Sequence, residues 1–222
     1  MVRTVQSSAL NSVIARPQPG PQKALIDCPL PEIMFGGSRG GGKTFGCLLK
    51  CGIGAADKHF NAIFFRRELP SLDDAIEESK AIYPQLGAHW NEQRKLWRFP
   101  NGARIRFRPL ESIADADKYQ GQNISTAVIE ESGTYHDSRV IDRMQGALRS
   151  AFGLQTQLIL TANPGGVGQQ WIRERYIDAC PQGMKVCERN VGRGRKRKFV
   201  YIPSKITDNR ILMQNDPDYI DR

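Results

Sequence analysis

The sequence has no apolar run long enough to cross a bilayer, and it does not open on the charged-then-apolar pattern of a secretory signal. A membrane-spanning or exported protein is therefore not expected, and a cytoplasmic one is. Cysteine is scarce: Cys28, Cys47, Cys51, Cys180 and Cys187, with no Cys-x-x-Cys pair. An odd number without that spacing argues against a disulfide framework and against a zinc site. Cys47 and Cys51, four apart, read as small core residues on a helix. There is no internal repeat. The basic segments hold no run of aromatics of the kind that stacks single-stranded bases. What remains is ordinary globular material. The chain has 222 residues, 40% hydrophobic and 25% charged, enough for one α/β domain with a single core. A formal net charge of +9 and a pI near 9.5 favour a polyanionic partner.

The most informative stretch is Gly37-Ser38-Arg39-Gly40-Gly41-Gly42-Lys43-Thr44. It has the form G-x-x-x-x-G-K-T, between an apolar run at 33–35 and a helix-compatible run at 45–50. Strand, glycine loop and helix are the context such a phosphate-binding loop needs. Glycines let the backbone curl so that several N–H groups converge on phosphate oxygens, and the helix adds its own unpaired N–H groups. In that pattern Lys43 reaches the β- and γ-phosphates and Thr44 ligates Mg2+. ATP and Mg2+ are the expected cofactors.

A second decisive stretch is Ser125-Thr126-Ala127-Val128-Ile129-Glu130-Glu131, an apolar strand ending in two carboxylates. In P-loop enzymes the first holds Mg2+, commonly as Asp and here as Glu130; the second, Glu131, polarises the attacking water. The strand at 157–160 leads into Thr161-Ala162-Asn163-Pro164-Gly165-Gly166, where Thr161 and Asn163 are placed to meet the γ-phosphate or that water.

Elsewhere the chain suggests a polar arm over residues 1–20 and a helix beginning near Pro21, with Gln22 a weak candidate for reading adenine through its amide. A strand at 61–65 ends in Arg66-Arg67, at the end of a sheet strand that faces ligands. A helix is expected over 72–83. A β segment over 90–108 turns at Pro100-Asn101-Gly102 and alternates Ile105 and Phe107 with Arg104, Arg106 and Arg108, a basic ribbon for DNA or a half-buried strand. Helices are expected over 138–150 and 171–176. The run Arg193-Gly194-Arg195-Lys196-Arg197-Lys198 reads as a phosphate-backbone contact or an exposed hairpin tip. A last strand covers 199–202, and a helix begins after Asp216.

In this order the chain resembles the ATPase domain of the large terminase subunits of tailed bacteriophages. The resemblance runs through Pro21-Gln22, the glycine loop, Arg66-Arg67 and Trp97-x-Phe99-Pro100-Asn101-Gly102. It continues through Lys118-Tyr119-Gln120-Gly121, Glu130-Glu131, Leu148-Arg149-Ser150, the 161–166 loop and Asp208-Asn209. It covers residues 20–222. It implies an α/β P-loop NTPase fold of the ASCE, RecA-like kind, with a mostly parallel sheet and helices on both faces. The implied domains are an arm at 1–20, the ATPase domain at 21–210 and the start of a linker helix at 211–222. The implied activity is Mg2+-dependent ATP hydrolysis that drives double-stranded DNA into a procapsid in the host cytoplasm. The implied partners are a portal protein, a small terminase subunit and further copies of the chain in a ring. On this resemblance Gln22 contacts adenine, Gly37 to Thr44 hold the phosphates, Arg39 is a cis arginine, Glu130 holds the metal and Glu131 is the general base. Thr161 and Asn163 form the coupling loop, and Lys118 or Arg149 completes a neighbour's site. No acidic cluster is left for a nuclease. A helicase- or recombination-type ATPase and an ATP-binding assembly module are the alternatives.

Overall fold

Apolar runs that alternate between two buried faces set the architecture. In the computed structural model, which describes residues 5–6 and 13–221, β1 (Val5–Gln6) pairs antiparallel with β2 (Val13–Ala15). Part of the segment read as a flexible arm is thus paired; residues 1–4 and 7–12 lie outside the described residues. There follow α1 (Pro21–Asp27), β3 (Glu32–Gly37), α2 (Lys43–Gly54), β4 (Asn61–Arg66), α3 (Asp73–Lys80), β5 (His89–Asn91), β6 (Leu96–Arg98) and β7 (Arg104–Pro109). Then come α4 (Ile113–Asp117), β8 (Thr126–Ile129), α5 (Arg139–Ala147), β9 (Gln157–Ala162), α6 (Gln169–Ile172), β10 (Val186–Asn190), β11 (Lys196–Ser204) and α7 (Arg210–Asn215), with a 3-10 turn at Pro217–Asp221.

Nine strands form one sheet in the order β10-β11-β3-β9-β8-β4-β7-β6-β5. The run from β11 to β7 is parallel, and β10, β6 and β5 add antiparallel edges. Parallel strands covered on both faces must be apolar on both, and β4 shows it. Ala62 and Phe64 join one core with Leu25 of α1, Leu48 of α2 and Ile76 of α3, whereas Ile63 and Phe65 join the other with Ala116 of α4, Met144 of α5 and Ile172 of α6. Cys47 and Cys51 are buried in the first core. Because the central strands are parallel, their C-terminal ends meet at one edge. Register sets Gly36 beside Ala162, Gly37 beside Ser204, and Ile129 beside both Phe65 and Leu160. No helix among the described residues is long and apolar enough to cross a membrane.

Several expectations need correction. The 90–108 segment is three strands, not two, and β7 is internal, between β4 and β6. Arg106 is half-buried and donates to Gln122 Oε1 at 3.1 Å, and Arg108 donates to the Phe107 carbonyl at 2.6 Å; the strand is no open basic ribbon. The helix expected over 72–83 ends at Lys80. Cys180 and Cys187 are joined by a disulfide. The chain reverses between the π turn at Arg173–Ile177 and β10, which sets their Cα atoms 6.1 Å apart, a convergence that sequence spacing did not signal.

β10 and β11 form an edge hairpin whose tip carries exposed Arg193 and Arg195, with Lys196 and Lys198 exposed on β11. Near its tip the hairpin is tied to the core through Glu32, which is fully buried at the start of β3. Arg189 and Arg175 donate to Glu32 at 2.8 and 3.1 Å, and Tyr176 and Gln145 at 2.6 and 2.7 Å. Burial works against the charge, but Arg189 and Arg175 outweigh it and hold the carboxyl down at about 2.

Candidate nucleotide-binding site

The loop from Gly37 to Gly42 joins β3 to α2 at the edge where the parallel strands end. Gly40 and Gly42 stand at φ +71° and +67°, a left-handed conformation that glycine adopts without steric cost. No side chain caps α2, so the N–H groups of its first turn stay available to an anion. Lys43 Nζ lies on the loop, donating to the Ser38 carbonyl at 2.6 Å and the Gly37 carbonyl at 3.2 Å. Burial pushes its ammonium pKa down to about 8, against the opposing pull of Glu130.

Glu130 follows β8 and is 1% exposed. One carboxylate oxygen accepts from Thr44 Oγ1 at 2.7 Å, and the other accepts from Arg66 Nε at 2.9 Å. Burial raises its pKa, while Arg66 and Thr44 pull it back. A hydroxyl and a carboxylate at this separation suit Mg2+, which takes few protein ligands and completes its octahedron with phosphate and water oxygens. No group of three or more His, Cys, Asp or Glu side chains that could hold a metal is found among the described residues.

Glu131 shares Arg66 with Glu130, at 3.7 Å, but differs in exposure and backbone. Its side chain is 45% exposed and its backbone is left-handed at φ +51°, a conformation a non-glycine residue holds only when its surroundings impose it. Here the Glu131 N–H donates to Thr161 Oγ1 at 3.2 Å, and Ser132 Oγ donates to the Thr161 carbonyl at 2.8 Å. The 161–166 loop therefore holds the turn that presents Glu131. Asn163 Oδ1 is buried with no hydrogen-bond partner among the described residues, an acceptor available to a ligand or water.

These groups line one cavity of about 490 Å3: Arg39 to Thr44, Arg66, Glu130, Glu131, Thr161 and Asn163, with Asp74, Glu78, Asn209 and Tyr219 also on its wall. Burial, with the charge of Glu130, raises Glu78 to about 7. Five predicted residues are not on that wall: Gly37 and Ser38, whose carbonyls accept from Lys43, and Gln22, Arg149 and Lys118. Gln22 is buried behind the loop, its amide donating to the Gly42 carbonyl at 2.9 Å and accepting from the Gln18 N–H at 2.8 Å. Arg149 donates to the Gln122 carbonyl and bridges to Ile124, at the opposite end of the strand that carries Glu130. Lys118 is exposed and paired with Asp115 at 2.7 Å. Sequence reasoning missed Ser204, Asn209, Glu78 and the bond from Arg66 to Glu130. Of these, only Asn209 carried a local signal, a polar residue just before an apolar helical run; it caps α7 by accepting from the Leu212 N–H.

A phosphate loop, a carboxylate strand separated from it by the single strand β9, and helices on both faces define a P-loop NTPase of the ASCE kind. Residues 34–167 match the family described as terminase large subunit, T4likevirus-type, N-terminal. The chain belongs to that family. No curated protein sequence matched. Among solved structures, the large terminase of a thermophilic bacteriophage superposes with a TM-score of 0.65 at 14% identity, covering 90% of this chain and 48% of its own. The same protein in complex with ADP gives 0.64. The ATPase domain of a Thermus phage large terminase gives 0.59 at 12% identity, over 89% of this chain and 86% of its own. The N-terminal domain of the DNA packaging ATPase from bacteriophage phi29 gives 0.57 at 13% identity, over 83% and 94%. The chain spans about half the length of the first of these.

Proposed function

We propose that the chain is the ATP-hydrolysing motor domain of a terminase large subunit, driving double-stranded DNA into a procapsid. The observation that carries this reading is the single cavity joining Lys43, Thr44, Glu130, Glu131 and Thr161 on a fold of this family. ATP lies along the loop N–H groups. Lys43 leaves the Ser38 and Gly37 carbonyls for the terminal phosphates. Mg2+ held by Thr44 and Glu130 would neutralise charge on the phosphate oxygens. Glu131, exposed at the cavity, aligns a water in line with the γ-phosphate, while Arg39 and Lys43 stabilise the charge that develops. Because Thr161 holds the Glu131 turn, loss of phosphate is felt at the 161–166 loop.

The β10–β11 hairpin is the proposed contact for duplex phosphates, since Arg193, Arg195, Lys196 and Lys198 are exposed together. It reads backbone rather than bases, as a motor for any sequence must. A ring of copies, a portal protein and a small terminase subunit complete the proposed machine, with Lys118 and Arg149 as candidates to reach a neighbour's site. The proposed domain limits are the arm at 1–20, the ATPase domain at 21–210 and a linker from 211.

The test is ATP turnover with and without linear duplex DNA, beside Lys43→Ala and Glu131→Ala. Turnover that duplex stimulates and both substitutions abolish is expected. Stimulation by single strands alone would favour a helicase-type ATPase, and ATP binding without turnover an assembly module. Replacing one hairpin Lys or Arg should weaken duplex binding equally across sequences and flatten the salt slope by about one unit.

A further inference from the structure

Three successive carbonyls of the phosphate loop each accept from a side chain of a different element. Asn209 Nδ2, at the start of α7, donates to Gly40 at 2.6 Å. Ser204 Oγ, at the end of β11, donates to Gly41 at 3.1 Å. Gln22 Nε2, on α1, donates to Gly42 at 2.9 Å. The amide orientations are fixed by their other partners. Asn209 Oδ1 accepts from Gln18 Nε2 at 2.7 Å and from the Leu212 N–H at 3.2 Å, and Gln22 Oε1 accepts from the Gln18 N–H at 2.8 Å. Turning either amide over would set oxygen against oxygen and N–H against N–H.

The glycines give a second, independent observation. Gly41 has no left-handed φ, yet a Cβ there would lie 2.5 Å from Ser204 Oγ. A Cβ on Gly42 would collide with the Gln22 amide, and one on Gly40 would come within 2.9 Å of Leu212 and Tyr219. The space that the Gly40-Gly41-Gly42 run leaves open is filled by the donors themselves and by the segment that carries Asn209.

We propose that Gln22, Ser204 and Asn209 are positioning residues that clamp the loop for polyphosphate, and that Gln22 does not read the base. The physical reason lies in the peptide plane, where C=O of one residue and N–H of the next point in opposite directions. Holding the carbonyls of Gly40, Gly41 and Gly42 outward fixes the N–H groups of Gly41, Gly42 and Lys43 inward. The loop is then ordered before the anion arrives, and the anion meets no reorganisation cost.

This inference rests on the nucleotide reading of the cavity, and one titration series separates the two. Pyrophosphate, ADP and GDP are titrated calorimetrically into wild type, Gln22→Met, Ser204→Ala, Gly41→Ala and the Gly41→Ala/Ser204→Ala double variant. Methionine matches glutamine in length, is uncharged and cannot donate. The clamp predicts a loss of roughly tenfold in affinity for all three ligands in Gln22→Met and in Ser204→Ala, with the ADP-to-GDP ratio unchanged. It also predicts that the double variant is no worse than either single one, because both remove the same contact. A Gln22→Met variant that binds pyrophosphate normally and loses only its preference between ADP and GDP would overturn the clamp in favour of a base contact. Unchanged affinities in Gln22→Met and Ser204→Ala would overturn it outright. A wild type that binds neither ADP nor pyrophosphate would instead sink the nucleotide reading itself. Melting curves of each variant identify any that fails to fold, and Gln22→Met and Ser204→Ala test the clamp separately.

Discussion

Arg66 carries the sharpest prediction about this site. Glu130 is 1% exposed, and among the described residues its carboxylate is held by Thr44 at 2.7 Å and Arg66 at 2.9 Å. In Arg66→Ala the carboxylate keeps one hydroxyl and loses its counter-charge. Removing one member of a buried ion pair costs about 3 to 5 kcal/mol, which for a chain of this length lowers Tm by about 10 °C. The cost must depend on pH. Glu130 already has a raised pKa in the folded protein. A carboxyl raised on folding binds more protons folded than unfolded, so its contribution to stability falls as pH rises through the window between the two values. Without Arg66 that window extends upward. Urea unfolding of wild type, Arg66→Ala, Glu130→Gln and the double variant, at about pH 5 and about pH 8, checks this. Arg66→Ala should cost little near pH 5 and most near pH 8, and in the Glu130→Gln background it should cost less than about 1 kcal/mol. An Arg66→Ala penalty equal at both pH values and undiminished by Glu130→Gln would refute the pairing, and would assign the loss to the bond that Arg66 makes to the Ser71 carbonyl.

Lys43 supplies a second pH dependence. Its pKa is about 8 in the free protein, and a bound phosphate anion raises it. ADP binding at about pH 8.5 should therefore take up protons, and affinity should fall up to about tenfold per pH unit above 8; calorimetry in buffers of different ionisation enthalpy reads both. Glu78, near 7 on the same wall, ionises below that range, so Glu78→Gln should leave the limb above pH 8 unchanged. Glu32→Gln leaves Arg175 and Arg189 converging without their counter-charge and should destabilise the chain by about 3 kcal/mol at neutral pH. Since the Glu32 pKa is depressed to about 2, the wild type's advantage is present above the unfolded value near 4.5 and should vanish as pH falls from there towards 2. Melts across that range decide it.

Much of the site was legible because its signals are local. A strand, a glycine loop and a helix within residues 33–50 cannot do much but form a phosphate cradle, since left-handed Gly40 and Gly42 and an uncapped α2 follow from the residue types in line. The same holds for Glu130-Glu131 at the end of an apolar strand. Nothing local told the two glutamates apart; tertiary packing buried one against Arg66 and Thr44 and left the other exposed on a strained turn held by Thr161. Gln22 looked like a base contact because an upstream glutamine has a free amide in sequence, and in the fold that amide is spent on Gln18 and Gly42. The alternating arginines of β7 fitted a basic ribbon or a half-buried strand, because alternation does not say whether a strand is internal; the fold decides for the half-buried strand.

By itself the sequence determined the phosphate loop, the acidic pair, the apolar strands and the basic hairpin tip, because each depends on residues near one another in the chain. Only the tertiary structure decided which groups surround them. The bond between Gln18 and Asn209 crosses 191 positions, and the hold of Ser204 on Gly41 crosses 163. Contacts of that span exist only once strand order has brought the C-terminal end of β11 beside that of β3.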